Sequence, residues 1–420
     1  MKQNTTYKQT ELGLIPEDWE VKKLGECSSI SGDYGINAPA VKFSEDLPTY
    51  LRITDIDDDG NYSKENKVSV KDDNSESFIL DDEDIVFART GATVGKTYLH
   101  NKKENGDLVF AGFLIRFRTN FDILLPYYLK LYTNTDKYWN WVSVFSMRSG
   151  QPGINSKEYS NLKIPLPPLP EQKKIADCLS NWDSAIEKQS ALINVLTQRK
   201  KALMQQLLTG KKRLPGFSEE WKEVKLGSLG KTYNGLTGKT KEDFGEGKPF
   251  ITYMNIFSNP KINISNFEYV KMGVNENQNK AIYGDIFFTV SSETPNEVGM
   301  ASVLLDEIND LYLNSFCFGF RLNDFKNLLP EFSSYLFRND LFRKDVYKLA
   351  QGSTRFNLSK LELMKIKIKL PSLSEQTAIA EILATADREL QLQKEKLAQL
   401  QTQKKGLMQV LLTGKKRLIN

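Results

Sequence analysis

The sequence predicts an α+β fold: two mixed α/β globular domains in tandem, joined by two long helices that form an antiparallel coiled coil, with a pseudo-two-fold internal repeat. Three observations carry this expectation. A 49-residue segment occurs twice, each copy carries a heptad pattern, and each copy follows a globular stretch of about 150 residues, an ordinary domain size. The expected boundaries are 1–165 for the first globular domain, 166–214 for the central helix, 215–369 for the second domain and 370–420 for the C-terminal helix.

The duplication is ungapped in the helices. Residues 166–214 and 370–418 align at a constant offset of 204 with 24 of 49 positions identical, among them Glu171/Glu375, Gln172/Gln376, Asp183/Asp387 and the terminal LLTGKKRL of both copies. The preceding domains match more faintly, at shifting offsets. Trp19 with Leu24-Gly25 matches Trp221 with Leu226-Gly227 at 202, and Tyr50-Leu51 matches Phe250-Ile251 at 200. Asp84-Ile85 matches Asp285-Ile286 at 201, and Gly150 and Asn155 match Gly352 and Asn357 at 202. Two readers that differ while sharing one scaffold would leave this pattern.

Prolines 165, 167, 168 and 170 delay the first helix to about Glu171, and Gly210 ends it near Leu208, with Lys211, Lys212 and Arg213 favourably placed for the macrodipole. Its apolar positions, Ile175, Leu179, Trp182, Ile186, Ile193, Leu196, Leu203 and Leu207, keep a 4-3-4-3 spacing once Gln189 and Lys200 fill the gaps. The second copy repeats the seam from Ile379 to Leu411, with Gln393 and Lys404 in the gaps. Each helix should span roughly 57 Å. Two equal seams in one chain most simply pack on each other; packing of each helix on its own domain is the alternative. Gly406, where the first copy has Ala202, lowers helix propensity by about 1 kcal/mol without a sequence-level reason.

Composition excludes several classes. The chain is 40% hydrophobic and 26% charged, as soluble globular proteins are, and contains no run of eighteen apolar residues. The N-terminal residues lack the apolar core of a secretory signal, so a cytoplasmic location and no membrane partner are expected. Cys27, Cys178 and Cys317 lie in neither metal-ligand nor disulfide spacing and are expected as reduced thiols. A net charge of +4 permits nucleic-acid binding without arguing for it.

No catalytic motif survives inspection. Gly91-Ala92-Thr93-Val94-Gly95-Lys96-Thr97 resembles a phosphate-binding loop but has three residues between its glycines instead of four, and the second copy has no lysine there. A tight turn exposing Arg89, Thr90 and Lys96 is the expectation. His100 is the sole histidine, so no metal site is expected, and the carboxylate runs Asp55–Asp59 and Asp81–Asp84 are read as solvated turns.

Several motifs then converge: Gln9-Thr10-Glu11-Leu12-Gly13-Leu14-Ile15-Pro16 at the start, Gly91–Lys96 after Asp84–Arg89, Pro167-Pro168-Leu169-Pro170-Glu171-Gln172 before the first helix, and Leu207-Leu208-Thr209-Gly210 after it. Over essentially the whole chain they resemble the specificity subunit of type I restriction–modification systems. The resemblance implies that 1–165 and 215–369 are target recognition domains, each reading one half of a bipartite double-stranded DNA site, and that the helices fix the spacing. It implies a non-catalytic chain. Two copies of a modification (methyltransferase) subunit would dock on it to methylate adenine, and restriction (translocase/nuclease) subunits would join them. No cofactor is expected on this chain; S-adenosylmethionine, ATP and Mg are implied for the partner subunits.

DNA-reading candidates are the loops near the internally matched positions: Arg52, Thr54, Arg89, Thr90, Lys96, Arg148, Ser149 and Gln151 in the first domain, and Tyr253, Asn255, Ser291, Ser292, Ser353, Thr354 and Arg355 in the second. Arginine can pair bidentately with guanine, and Asn or Gln with adenine. A coiled-coil scaffold with two protein-binding heads remains the competing reading; it predicts binding indifferent to DNA sequence and weakly dependent on salt.

Overall fold

The computed structural model describes residues 6–147 and 151–418. The chain forms two compact units, Met1–Gln189 with Lys396–Asn420, and Ser190–Glu395. The long helices, α1 (Leu169–Leu207) and α2 (Leu373–Leu411), therefore each contribute to both units.

In the first unit a central antiparallel sheet has the order Ser28–Tyr34, Leu114–Thr119, Ile85–Ala88, Thr97–Leu99. Its strand Ile85–Ala88 is apolar at every position because both faces are buried. Ile85 and Phe87 join a core with Tyr128, Leu129 and the start of α1, while Val86 and Ala88 join a second core with Leu51 and Phe110. A second sheet runs Leu108–Phe110, Thr49–Leu51, Val68–Val70, Ala40–Lys42, its first pair parallel. The second unit repeats this plan. Its central sheet is Gly230–Asn234, Cys317–Leu322, Ile286–Thr289, Ala301–Val303, and its second sheet is Glu268–Val270, Phe244–Ile251, Tyr312–Leu313, the last pair parallel.

Not all the acidic residues expected in solvated turns are solvated. Asp84 is fully buried and accepts hydrogen bonds from Arg118 Nε (2.7 Å) and NH2 (2.9 Å). Its counterpart Asp285 accepts from Arg321 Nε (2.9 Å) and NH2 (2.7 Å) and from the Tyr233 hydroxyl (2.6 Å). Asp55 is buried against Arg52. A carboxylate can be held in a core only when paired, and here a strand or loop arginine supplies the charge.

Within each unit the two helices run antiparallel. In the first, Asp183 of α1 pairs with Lys404 of α2, and Glu171, twelve residues earlier, pairs with Arg417, thirteen residues later. In the second, Lys200 pairs with Asp387 and Arg213 with Glu375. Half of the heptad seam is buried, at Ile175, Leu179, Leu196 and Leu207 in α1 and at Ile379, Leu383, Leu390 and Leu411 in α2, and its other apolar positions, such as Trp182, Ile193, Leu397 and Leu407, are partly buried.

The motifs that stayed alike meet at the helix ends. Glu171 is 4% exposed and receives Trp19 Nε1 (3.0 Å) and Arg417 Nε and NH2 (2.8 and 2.6 Å). Glu375, 1% exposed, receives Trp221 Nε1 (3.2 Å) and Arg213 Nε and NH2 (both 2.8 Å). The neighbouring Gln172 accepts from Leu125 N–H and donates to Ile123 and Pro167 carbonyls; Gln376 does the same with Leu329, Asn327 and Pro371. Gly210 (φ +69°) and Gly414 (φ +72°) turn the chain out of each helix in the left-handed region and set it against Trp221 and Trp19.

Arg417→Ala should therefore cost about 3 kcal/mol or more, since it strands a buried carboxylate, and Glu171→Gln in that background should recover part of the loss. Denaturant titration of the full chain reads both; an Arg417→Ala variant within about 0.5 kcal/mol of the parent contradicts the clamp. At Gly406 an added Cβ would meet no atom within 4 Å. Gly406→Ala should accordingly stabilise the chain by about 0.5–1 kcal/mol in the same titration.

Candidate nucleic-acid interface

Three chain segments lie side by side at one end of each central sheet. In the first unit Arg89 N–H donates to the Phe113 carbonyl (3.0 Å), and Ile154 N–H donates to the Arg89 carbonyl (2.9 Å). In the second, Val290 N–H donates to Phe316 (3.1 Å) and Leu358 N–H to Val290 (2.8 Å). These rungs are equivalent, and they fix the true register. Ile154 corresponds to Leu358 at an offset of 204, so the sequence match of Asn155 with Asn357 is two residues out. Asn155 instead corresponds to Ser359: each caps a short helix and accepts a backbone N–H from a glutamate, Glu158 and Glu362. The two asparagines matched by residue type, whereas pairing is set by the backbone; Gly150, matched with Gly352 at the same offset, lies outside the described residues.

The second sheet adds a fourth segment. Ala111 N–H donates to Leu51 and Asn314 N–H to Ile251 (both 3.0 Å), which brings Arg52 and Thr252-Tyr253 to the same end. The turns are tight: Leu114 N–H returns to Ala111 (2.8 Å) and Cys317 N–H to Asn314 (3.2 Å). Gly35 and Gly235 press against these turns so closely that a Cβ would lie 2.3 Å from the Ala111 carbonyl oxygen or 2.1 Å from that of Asn314.

The structure sorts the expected DNA-reading residues. Arg89 is half-buried, with its guanidinium 4.7 Å from the Tyr34 ring centroid and NH1 3.4 Å from the Gly112 carbonyl; its Nε finds no partner among the described residues. Thr90 pairs by backbone with Gly153, and Gln151 is exposed beside Gly91. In the second unit Ser353, Thr354 and Arg355 are all exposed on a turn closed by two Gln351–Asn357 backbone hydrogen bonds (3.0 and 2.8 Å). Ser291 lies in the strand that pairs with Phe356–Asn357, and its carbonyl accepts the Tyr253 hydroxyl (2.8 Å). Tyr253 stacks on Phe257, and its partial burial raises its pKa. Arg148 and Ser149 lie outside the described residues.

Others are already committed elsewhere. Arg52 forks onto Asp55 (3.0 and 2.6 Å), an attachment that raises its pKa, and Thr54 is exposed next to that pair. Lys96, expected exposed on the turn, is only 20% exposed and forms an ion pair with Asp58 (2.7 Å), which lowers the pKa of that carboxyl. Ser292 is buried and donates to Glu297 (3.2 Å). Asn255 is a correction to the sequence reading. It is fully buried, its amide donating to the Asn263 and Asn266 carbonyls (both 2.9 Å) and its oxygen accepting Asn263 N–H (2.9 Å), so it shapes a loop and has no edge to offer a base.

Sequence reasoning passed over two phenylalanines. Phe113 and Phe316 stand at the third position of the two equivalent turns, 55% and 61% exposed. Their offset of 203 lies between those of the matched strands and helices, and FAGF against LNSF shares too little to be noticed. Arginine, amide and hydroxyl groups around an exposed apolar tip form a surface able to hydrogen-bond base edges and touch apolar base atoms.

The profile of the type I restriction modification DNA specificity domain matches residues 16–198 and again 218–402. The chain is 28% identical over 436 residues to the type I restriction enzyme MjaVIII specificity subunit of Methanocaldococcus jannaschii, covering 97% of this chain and 95% of that one. With the EcoKI specificity subunit of Escherichia coli K12 it shares 25% identity over 391 residues, 87% of this chain and 82% of the relative. Among solved structures, the type I restriction–modification S subunit from M. genitalium superposes with a TM-score of 0.55 at 15% identity, covering 98% of this chain and 97% of the other, a likeness of fold. A chain from the structural study of type I R-M complex assembly and conformational transition gives 0.57 at 18%, over 96% and 99%. With two profile matches spanning most of its length on a fold built twice, the chain belongs to the type I restriction–modification DNA specificity family, as a non-catalytic subunit that recognises DNA sequence.

Proposed function

We propose that the chain reads a bipartite double-stranded DNA target, one half-site per globular head, and directs adenine methylation and restriction by partner subunits. The observation that supports this reading most is the repetition of one loop frame with different side chains. Beside equivalent backbone rungs, Arg89 and Gln151 furnish the first head, and Ser353, Thr354 and Arg355, on the turn before Leu358, the second. One frame with two chemistries suits two half-sites of different sequence.

In this reading two copies of the modification subunit and the restriction subunits bind the chain in the cytoplasm. In the same reading S-adenosylmethionine, ATP and Mg belong to those partners and not to this chain. The paired helices set the gap between half-sites, because helical rise per residue is fixed. Linking two short recognition events in one chain raises the effective concentration of the second and so multiplies selectivity.

Co-expression with a cognate modification subunit, followed by genome-wide mapping of methylated adenine, should yield a two-part motif with a fixed gap. Exchanging residues 215–369 for the corresponding head of another specificity subunit should change one half of that motif and leave the other. An assembled complex that adds no methylation, or an exchange that rewrites both halves, contradicts the proposal. Binding of the assembled complex to the mapped target should also fall steeply with salt, by about 10³-fold or more between 50 and 200 mM. Flat salt dependence would favour protein-binding heads instead.

A further inference from the structure

We infer that Phe113 and Phe316 are the apolar base contacts of the two heads: each presses its ring against a base in its half-site and so determines specificity. This rests on the DNA-reading function proposed above. The turn Ala111–Leu114 and the turn Asn314–Cys317 are closed by the same hydrogen bond, joined by the same rung to the strand end at Arg89 or Val290, and backed by the same close approach of a glycine, Gly35 or Gly235. In both, phenylalanine occupies the third position and is more than half exposed, at 55% and 61%.

That placement runs against local preference. The tip of a tight turn favours Gly, Asn, Asp or Ser, and neither ring gains the burial that would reward a phenylalanine in a core. The chain makes the choice twice, in domains that have otherwise diverged around the turn. The backbone on each side is fixed, so the ring is displayed with little conformational freedom left to lose on binding. Its surroundings carry the polar half of a base-reading surface: Arg89, Thr90 and Gln151 beside the rung in the first head, and Ser291 with the exposed turn Ser353–Arg355 in the second. An aromatic ring among such donors suits a thymine methyl or the face of an unstacked base, both apolar, and is ill-suited to phosphate.

The test uses the full chain assembled with its modification subunit. Methylation mapping first defines the wild-type target; binding is then measured on a duplex carrying that target and on one with both half-sites scrambled, at several salt concentrations. Phe113→Ala should lose about 10- to 100-fold in affinity for the target, keep its affinity for the scrambled duplex, and leave the slope against salt unchanged, since no phosphate contact is removed. In the mapped motif one half should relax. Phe316→Ala should relax the other.

Phe113→Lys, at an equally exposed position, should steepen the salt dependence and strengthen scrambled-duplex binding while losing discrimination. Equal losses on both duplexes, an altered slope for the alanine variants, or target affinity within about twofold of wild type overturns the assignment. A wild-type complex without a two-part motif would remove the DNA-reading proposal and this inference together. A wild-type motif that both alanine variants reproduce removes only this one.

Discussion

A carboxylate at the start of each long helix, withdrawn almost completely from water, governs how this chain closes. Glu171 and Glu375 sit in the first turn of their helices, where the dipole favours negative charge, but burial on that scale still demands a partner. The partner is supplied by the tail of the opposite helix, Arg417 for Glu171 and Arg213 for Glu375. The first unit is thus sealed by a residue 246 positions away, and the second by one 162 away. Neither unit can complete its polar accounting until both helices have formed and met. Such long-range closure is slow to find, and it ties the fate of each head to the whole scaffold.

This constraint explains which parts of the repeat stayed alike. The tryptophan (Trp19 or Trp221), the glutamate and the arginine in the tail form one polar cluster per unit, in which loss of the arginine leaves a buried carboxylate without its charge partner, while the adjacent glutamine holds backbone groups of its own head. The glutamine anchors the helix to its own head while the glutamate joins it to the other helix's tail, so the two expectations for the helices, packing on each other and packing on their own domain, are both met. Heptad spacing alone revealed the first arrangement. The second needed side-chain hydrogen bonds that no periodicity encodes.

The two-domain α+β plan and the helix seams were legible because each rests on a pattern repeated in the sequence. The proposed reading surface was legible only in part. Arg89, Gln151 and Arg355 were chosen because they flank matched positions, and they lie at the candidate surface; the same logic chose Asn255, whose side chain is spent on the Asn263 and Asn266 carbonyls where the first unit's Asp55 holds Arg52. Burial of Asp55 and Asp84 was equally hidden: an acidic run reads as solvated until the arginines that meet it, Arg52 and Arg118, are seen in place. The shift of register at Asn155 shows the limit most plainly, since a coincident asparagine outweighed the true pairing of Ile154 with Leu358.

The heads solve one mechanical problem by different means. In the first, the strand-end residue beside the turn is Arg89, whose guanidinium lies over Tyr34 and reaches the turn carbonyl of Gly112. In the second that residue is Val290, which has no such reach, and the next carbonyl is held instead by the Tyr253 hydroxyl, while Asn314 braces the turn by accepting Phe316 N–H (2.8 Å). A reading loop must be stiff, because every rotamer or backbone torsion still free before binding is an entropy loss afterwards. Stiffness that came from one required set of side chains would leave little sequence free to vary. Here the backbone rungs and the glycine contact provide the shared rigidity, and the side-chain braces differ from head to head. The residues facing outward can then change without loosening the frame, which is the physical condition that the proposed reading of different bases by two heads on one scaffold requires.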